Sequence, residues 1–228
     1  REELLKSLGI RDVKNMFWDL MGTDIYAALS WDRLHAYNVG LFSDHLLPEL
    51  KSIIEDEIMG SHTRELPSWP DLNHFNSLKA FGDFADGTKF EDLSKILIHA
   101  SAHVLTEEFS KEGFGLLRLM RSYLELDMFS SLTLQTDSTL QLGRAALLEF
   151  EVRLKDYMKL RPLKQWTFPK AHTHQHMISD IVNKGVTRNY NTKPNEKLNG
   201  HLKKFYQNHT NFKNVASQAR SIVSLCEH

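Results

Sequence analysis

Four side chains, separated by most of the chain, have the types and spacing to hold a metal ion. His172 and His176 are four residues apart, so on a helix their imidazoles share a face while His174 projects the opposite way. Asp32 and His35, three apart in WDRLH, share a helix face in the same manner. Together the four make an N3O set without a thiolate, suited to tetrahedral zinc. Such a site would join elements about 140 residues apart, where loop closure costs most. Accidental pairing is the competing reading, because the chain carries 12 histidines and a single helical histidine usually serves as a core or surface group. His45, His62, His74, His99, His103, His201, His209 and His228 are read that way.

Glu196 is the second candidate. It follows Thr192, Pro194 and Asn195 and opens the pattern EKLNGHLKKFY, so its carboxylate falls in the first turn of a helix, where the macrodipole favours the ionised form. It is the only acid between residues 181 and 226. A lone carboxylate among Arg188, Lys193, Lys197, Lys203 and Lys204 could ligate Mg2+ beside DNA phosphates, or could simply favour the helix start. Residues 161–228 hold 11 Lys or Arg against three acids, whereas residues 1–160 hold 17 against 26. A basic end on an acidic body fits either a face that meets a polyanion or a solvated helix face.

The elements that must position these residues read as helices throughout. With 228 residues, 41% hydrophobic and 25% charged, the chain can bury one substantial core. We expect a single predominantly helical domain over residues 1–228, with 1–160 as scaffold and 161–228 as the basic segment bearing the His and Glu elements. Short helices are expected over residues 1–29, and Ser30 is the expected cap of the next helix, which should break near Gly40. Pro67, Pro70 and Asp86-Gly87 mark a loop holding a short helix, with a tight turn at Asp86-Gly87. The helical pattern resumes at Glu91, with Leu93, Ile96, Leu97, Ala100 and Val104 on one side. Two long helices follow, joined near Thr136, with Asp137 as the N-cap of the second and Pro162 and Pro169 ending the pair. A last helix is expected from Phe212 to Cys226. There is no internal repeat and no sustained β alternation, so the fold class is all-α.

No apolar run approaches the roughly 20 residues of a spanning helix, and no membrane partner is expected. The start, REELLKSLGI, has neither a signal-peptide core nor an initiator Met, which reads as a soluble intracellular fragment of a longer chain. The single cysteine, Cys226, excludes an intrachain disulfide and a multi-cysteine zinc site.

The pieces VKNMFWDL, ALSWDRLHAYNVGLFSDHLLPEL, RSYLELDMF, FPKAHTHQHMISDI, KGVTRN and NTKPNEKLNGHLKKFYQNHTNFKNVA resemble the C-terminal portion of Plavaka-type transposases, within the CACTA-like DNA transposases of fungi. The resemblance covers nearly the whole chain in order. It implies a DDE enzyme whose RNase H-like core is interrupted by a large helical insertion, with the core strands upstream of Arg1. Asp32 and His35 match the Cys/Asp-x2-His element of such insertions, and His172 and His176 match the His-x3-His element that follows a Lys, here Lys170. By similarity to RAG-type recombinases these four would bind structural zinc. Glu196 matches the acid that closes the DDE triad. Asn199 stands where these chains often have histidine, with His201 two residues further on.

The implied chemistry is two-metal phosphoryl transfer on DNA with Mg2+ held by three or more acids. Glu196 is the one acid assignable here, with Asp24 a weak alternative for the second. The chain alone is therefore expected to cut no DNA. Expected partners are DNA at transposon ends and the upstream catalytic core; a homo-oligomer is left open, and the location is nuclear. Arg188, Lys193, Lys203 and Lys204 are the expected phosphate contacts. Two alternatives remain open from the sequence. One is a non-catalytic domesticated or decayed DNA-binding or assembly module of transposase origin. The other is a self-contained zinc hydrolase on His172, His174 and His176.

Overall fold

The computed structural model describes residues 16–22, 24–75, 87–166 and 173–192. His172, Lys193, Glu196, Lys203, Lys204 and the helix expected over residues 212–226 lie outside the described residues. Every regular element among the described residues is helical, as the all-α expectation requires. Contacts divide the chain into two compact units, Arg1–Trp31 and Asp32–His228, a boundary that does not coincide with the change in charge at residue 161.

The first unit contains a 3-10 turn, Met16–Asp19, and a one-turn helix α1, Ile25–Ala28. Asp24 caps α1 by accepting the Ala27 N–H at 3.0 Å, which gives this acid a local structural role. Phe17, Trp18 and Leu20 remain at least half exposed.

The second unit opens with a π-helix, Leu34–Leu46, that runs directly into α2, Leu47–Ile53. Its hydrogen bonds reach five residues back where it ends, from the Leu47 N–H to the Phe42 carbonyl. Leu34, Ala36, Tyr37, Asn38, Gly40, Leu41, Phe42 and Leu46 are all buried, so most of this helix faces the core rather than solvent. The break expected near Gly40 does not occur: the chain stays helical across it and Gly40 is buried. Packing on nearly all sides outweighs the roughly 1 kcal/mol propensity penalty of an interior glycine. The helix ends at Ile54, whose backbone is extended, and α3 follows over Asp56–Glu65. The stretch expected as a loop holding a short helix follows, and among the described residues irregular structure runs from Leu66 to Phe75.

Helix α4, Gly87–Ser101, includes the four residues before the expected resumption at Glu91; Gly87 is helical, and Asp86, the other residue of the expected turn, lies outside the described residues. A Cβ at Gly87 would lie 1.9 Å from Leu34 Cδ1, so the glycine permits α4 to approach the start of the π-helix. Leu93, Ile96, Leu97 and Ala100 are buried as their spacing requires, whereas Val104 lies in the turn beyond the helix.

The two long helices are α5, Lys111–Ser131, and α6, Asp137–Leu160. Ser110 caps α5 by accepting the Gly113 N–H at 3.0 Å. The cap of α6 is Thr136, not Asp137: Thr136 and Thr139 exchange backbone-to-hydroxyl bonds of 2.8 and 3.2 Å in a capping box. Asp137 is left in the first turn, where a carboxylate complements the macrodipole. Gly115, near the start of α5, packs on Leu160 at the end of α6, so the short connection folds the two antiparallel. Pro162 follows the end of α6, as expected.

A 3-10 turn, His174–His176, leads into α7, Met177–Lys184, which buries Met177, Ile178 and Ile181 and packs on α6. Gly185 ends it with φ of 87°, a conformation that favours glycine, while its N–H reaches the Ile181 carbonyl. No helix among the described residues is long and apolar enough to cross a membrane.

Candidate nucleic-acid interface at the WDRLH turn

Ser30 does not cap the helix that follows. Arg33 stands at the start of the π segment with helical backbone angles, and the capping side chain comes one residue earlier. Asp32 Oδ2 accepts the backbone N–H of His35 at 3.1 Å, the i to i+3 relation of an N-cap. The same oxygen makes a short contact with His35 Nδ1. Asp32 and His35 are therefore brought together as their spacing predicts.

What joins them is Thr192, distant by 160 residues. Its hydroxyl donates to Asp32 Oδ2 at 2.9 Å, its backbone N–H donates to Oδ1 at 3.4 Å, and the hydroxyl also lies 3.4 Å from His35 Nδ1. Burial by itself would raise the Asp32 carboxyl, but the bonds from His35 and Thr192 outweigh it and hold the group below its ordinary value. The Asp32 side chain is 15% exposed and that of His35 56%. An inward carboxylate therefore supports an outward imidazole.

Arg33, between them in sequence, turns the other way. Its guanidinium binds Asp127 of α5 in bidentate fashion at 2.7 and 2.6 Å, and reaches Glu91 of α4 at 2.9 Å. Burial disfavours the cation, yet Asp127 and Glu91 more than offset this and push it above its ordinary value. The residue is thus a fixed charge that bolts the WDRLH turn to two core helices. A second tie lies elsewhere in the same unit. Glu49 of α2 accepts the Tyr157 hydroxyl at 2.7 Å and pairs with Arg161 and Lys164 at 3.3 and 3.2 Å.

The segment that reaches Thr192 is anchored at its other end too. Thr187, in a 3-10 turn over Thr187–Asn189, donates its hydroxyl to the Ser130 carbonyl in the last turn of α5 at 2.7 Å, in a buried bond. Burial, with the charge of Asp180 adding to it, pushes the Tyr190 hydroxyl up to about 12. Arg188 is exposed between the two anchors and forms no ion pair among the described residues. Lys193, Lys203, Lys204 and the catalytic candidate Glu196 lie outside the described residues.

His174 is 2% exposed, with its ring edge on Phe150 at 5.4 Å and Nε2 3.7 Å from Glu151. His176 is exposed. The two histidines serve different surroundings, which does not favour a shared hydrolytic metal. Among the described residues no group of three or more His, Cys, Asp or Glu is placed to hold a metal ion. The four-ligand set is therefore only half assembled in what is described: Asp32 and His35 meet, His176 adds no third member, and His172 is outside. Asp32 also has both oxygens engaged by protein donors.

A separate cleft of about 370 Å3 opens beside α3 and α4, lined by Leu66, Trp69, Leu72, Ile96 and His99 among others. It contains no convergent set of acids.

Sequence reasoning passed over Arg33, Thr187 and Thr192. A hint for Arg33 was the acid Asp127 standing between Leu126 and Met128 in an apolar stretch, since a carboxylate there needs a buried cation. The two threonines carried no local signal. Comparison with protein-family models, with curated proteins and with solved structures gave no match.

Proposed function

We propose that this chain is the helical insertion and C-terminal part of a Plavaka-type DDE transposase, acting in the nucleus. It binds transposon-end DNA through Arg188, Lys193, Lys203 and Lys204, and it supplies Glu196 as third carboxylate for Mg2+-dependent strand cleavage and transfer. The observation that carries the reading is the meeting of Asp32 and His35 with Thr192, across 160 residues. It ties the WDRLH element to the residue that immediately precedes the lysines and Glu196 in sequence. The resemblance in motif order supports the same assignment, as does the exposed Arg188.

In this reading zinc is held by His35, His172 and His176, with Asp32 as fourth ligand or behind His35 as its orienting carboxylate. A bound structural zinc stabilises the fold. Thermal unfolding of the chain should therefore shift upward on adding one equivalent of Zn2+ and return with a chelator, and an unchanged Tm removes the zinc site from the reading.

The DNA-binding part is tested by fluorescence anisotropy with a generic duplex across a salt series. Affinity should fall steeply with salt, as expected when cations neutralise phosphates. Glu196→Gln should bind at least as well as the unmodified chain, because it removes a charge that opposes phosphate. Absent or salt-insensitive binding would overturn the assignment.

A further inference from the structure

The segment Thr187–Thr192 is held at both ends by threonine side chains that bond to distant parts of the fold. At one end the Thr187 hydroxyl is buried on the Ser130 carbonyl. At the other, Thr192 gives both its hydroxyl and its backbone N–H to Asp32. Asp32 is in turn fixed by the His35 N–H and stands next to Arg33, which is locked to Asp127 and Glu91. A continuous line of bonds thus runs from the core through the WDRLH turn to the residue just before Lys193. Arg188 is the exposed cation within the anchored stretch.

We propose that Thr187–Thr192 is a prefixed platform for DNA phosphates, and that Thr187, Thr192 and Asp32 are positioning residues that set its cation, Arg188, before DNA arrives. The proposal rests on the DNA-binding reading above and adds the device by which that surface works. A cation on a free chain loses conformational freedom when it settles on a phosphate backbone, and that loss weakens binding. A strap fastened at both ends has lost much of that freedom on folding. Placing Asp32 beneath the platform also keeps a negative charge that would repel phosphate largely turned away from solvent, since its side chain is 15% exposed.

The test uses Thr192→Val, which keeps the shape and removes the hydroxyl donor, with Thr192→Ser, which restores it. Asp32→Asn replaces one of the two carboxylate acceptors with an amide donor and so weakens the same link from the other side, and Thr187→Val removes the donor of the far anchor. Each is titrated against a generic DNA duplex over a salt series, with circular dichroism confirming retained helix. Thr192→Val, Asp32→Asn and Thr187→Val should each bind about tenfold more weakly, with a shallower dependence of log K on log salt because fewer phosphates are neutralised. Thr192→Ser should recover both affinity and slope. A purely structural role would lower Tm and leave the slope unchanged. The platform is overturned if the unmodified chain binds with a steep salt slope and the three variants match it. If the unmodified chain shows no salt-dependent binding, the DNA reading itself falls and takes the platform with it. Should Thr192→Val lose its helical signal, Asp32→Asn and Thr187→Val decide the matter alone.

Discussion

Arg33 and Asp32 are neighbours in sequence with opposite fates. Arg33 lies inside, its guanidinium shared between two carboxylates, with side chains 10%, 17% and 3% exposed for Arg33, Glu91 and Asp127. Asp32 lies near the surface and spends its oxygens on a helix N-terminus, an exposed histidine and a threonine. The difference teaches which charges hold this fold together and which are placed for a task. A buried ion pair contributes little over an apolar substitute but is costly to break, because the partners are left charged without water. A partly solvated carboxylate at a helix start can be lost at small expense.

The sharpest break in that comparison is Arg33→Ala. It strands Asp127, while Glu91 keeps Lys95 at 3.2 Å, beside the buried hydroxyls of Tyr37 and Tyr123, which burial and then the charge of Asp127 already push well above their ordinary range. Destabilisation of about 3–5 kcal/mol is expected in urea unfolding. A loss below about 1 kcal/mol would mean that the inner pair does not differ from a surface bridge.

Asp32→Ala is the smaller test and sharpens the same contrast. At neutral pH it should cost about 1 kcal/mol, the ordinary cost of a lost N-cap. That cost should also depend on pH. The folded Asp32 carboxyl sits below its ordinary 3.8, so its contribution is fully present above that value and is lost as pH falls through the folded value. The unmodified chain and Asp32→Ala should therefore converge in stability in acid below about pH 4. Curves that stay parallel to the lowest pH would show that Asp32 is not stabilised by its charge.

Much of the helical scaffold was legible in the sequence. The apolar spacing of Leu93, Ile96, Leu97 and Ala100, and the pattern of the two long helices with Pro162 after them, are local properties, and helices are built from local contacts. The errors fell where distant packing overrides local preference. Gly40 should weaken a helix, yet stays in one because burial on nearly all sides holds it there. Gly87 is helical, and its missing side chain lets Leu34 pass. At Thr136 and Asp137 both side chains were capable caps, and the capping box with Thr139 decided between them.

The site was half legible. Asp32 and His35 could be paired from their spacing, because one turn of helix forces them together. Thr192 could not be found, since nothing about a threonine before a lysine and a proline says that it reaches back 160 residues. The surroundings of Asp32 were closed to local reading for the same reason: spacing pairs it with His35, whereas its bonds from Thr192 come from across the fold.

The sequence by itself determined that this chain is helical, that its acidic body carries a basic end, and that Asp32 and His35 share a face. These follow from periodicity and charge, which need no knowledge of what lies across the core. The tertiary structure alone decided that Arg33 turns to Asp127 and Asp32 to Thr192, and that the stretch carrying Arg188 is fastened at Thr187 and Thr192. The outward group is His35, supported from beneath by Asp32, and these outcomes depend on which donors and acceptors the folded chain brings within about 3 Å of one another, a matter of long-range packing that no local pattern encodes.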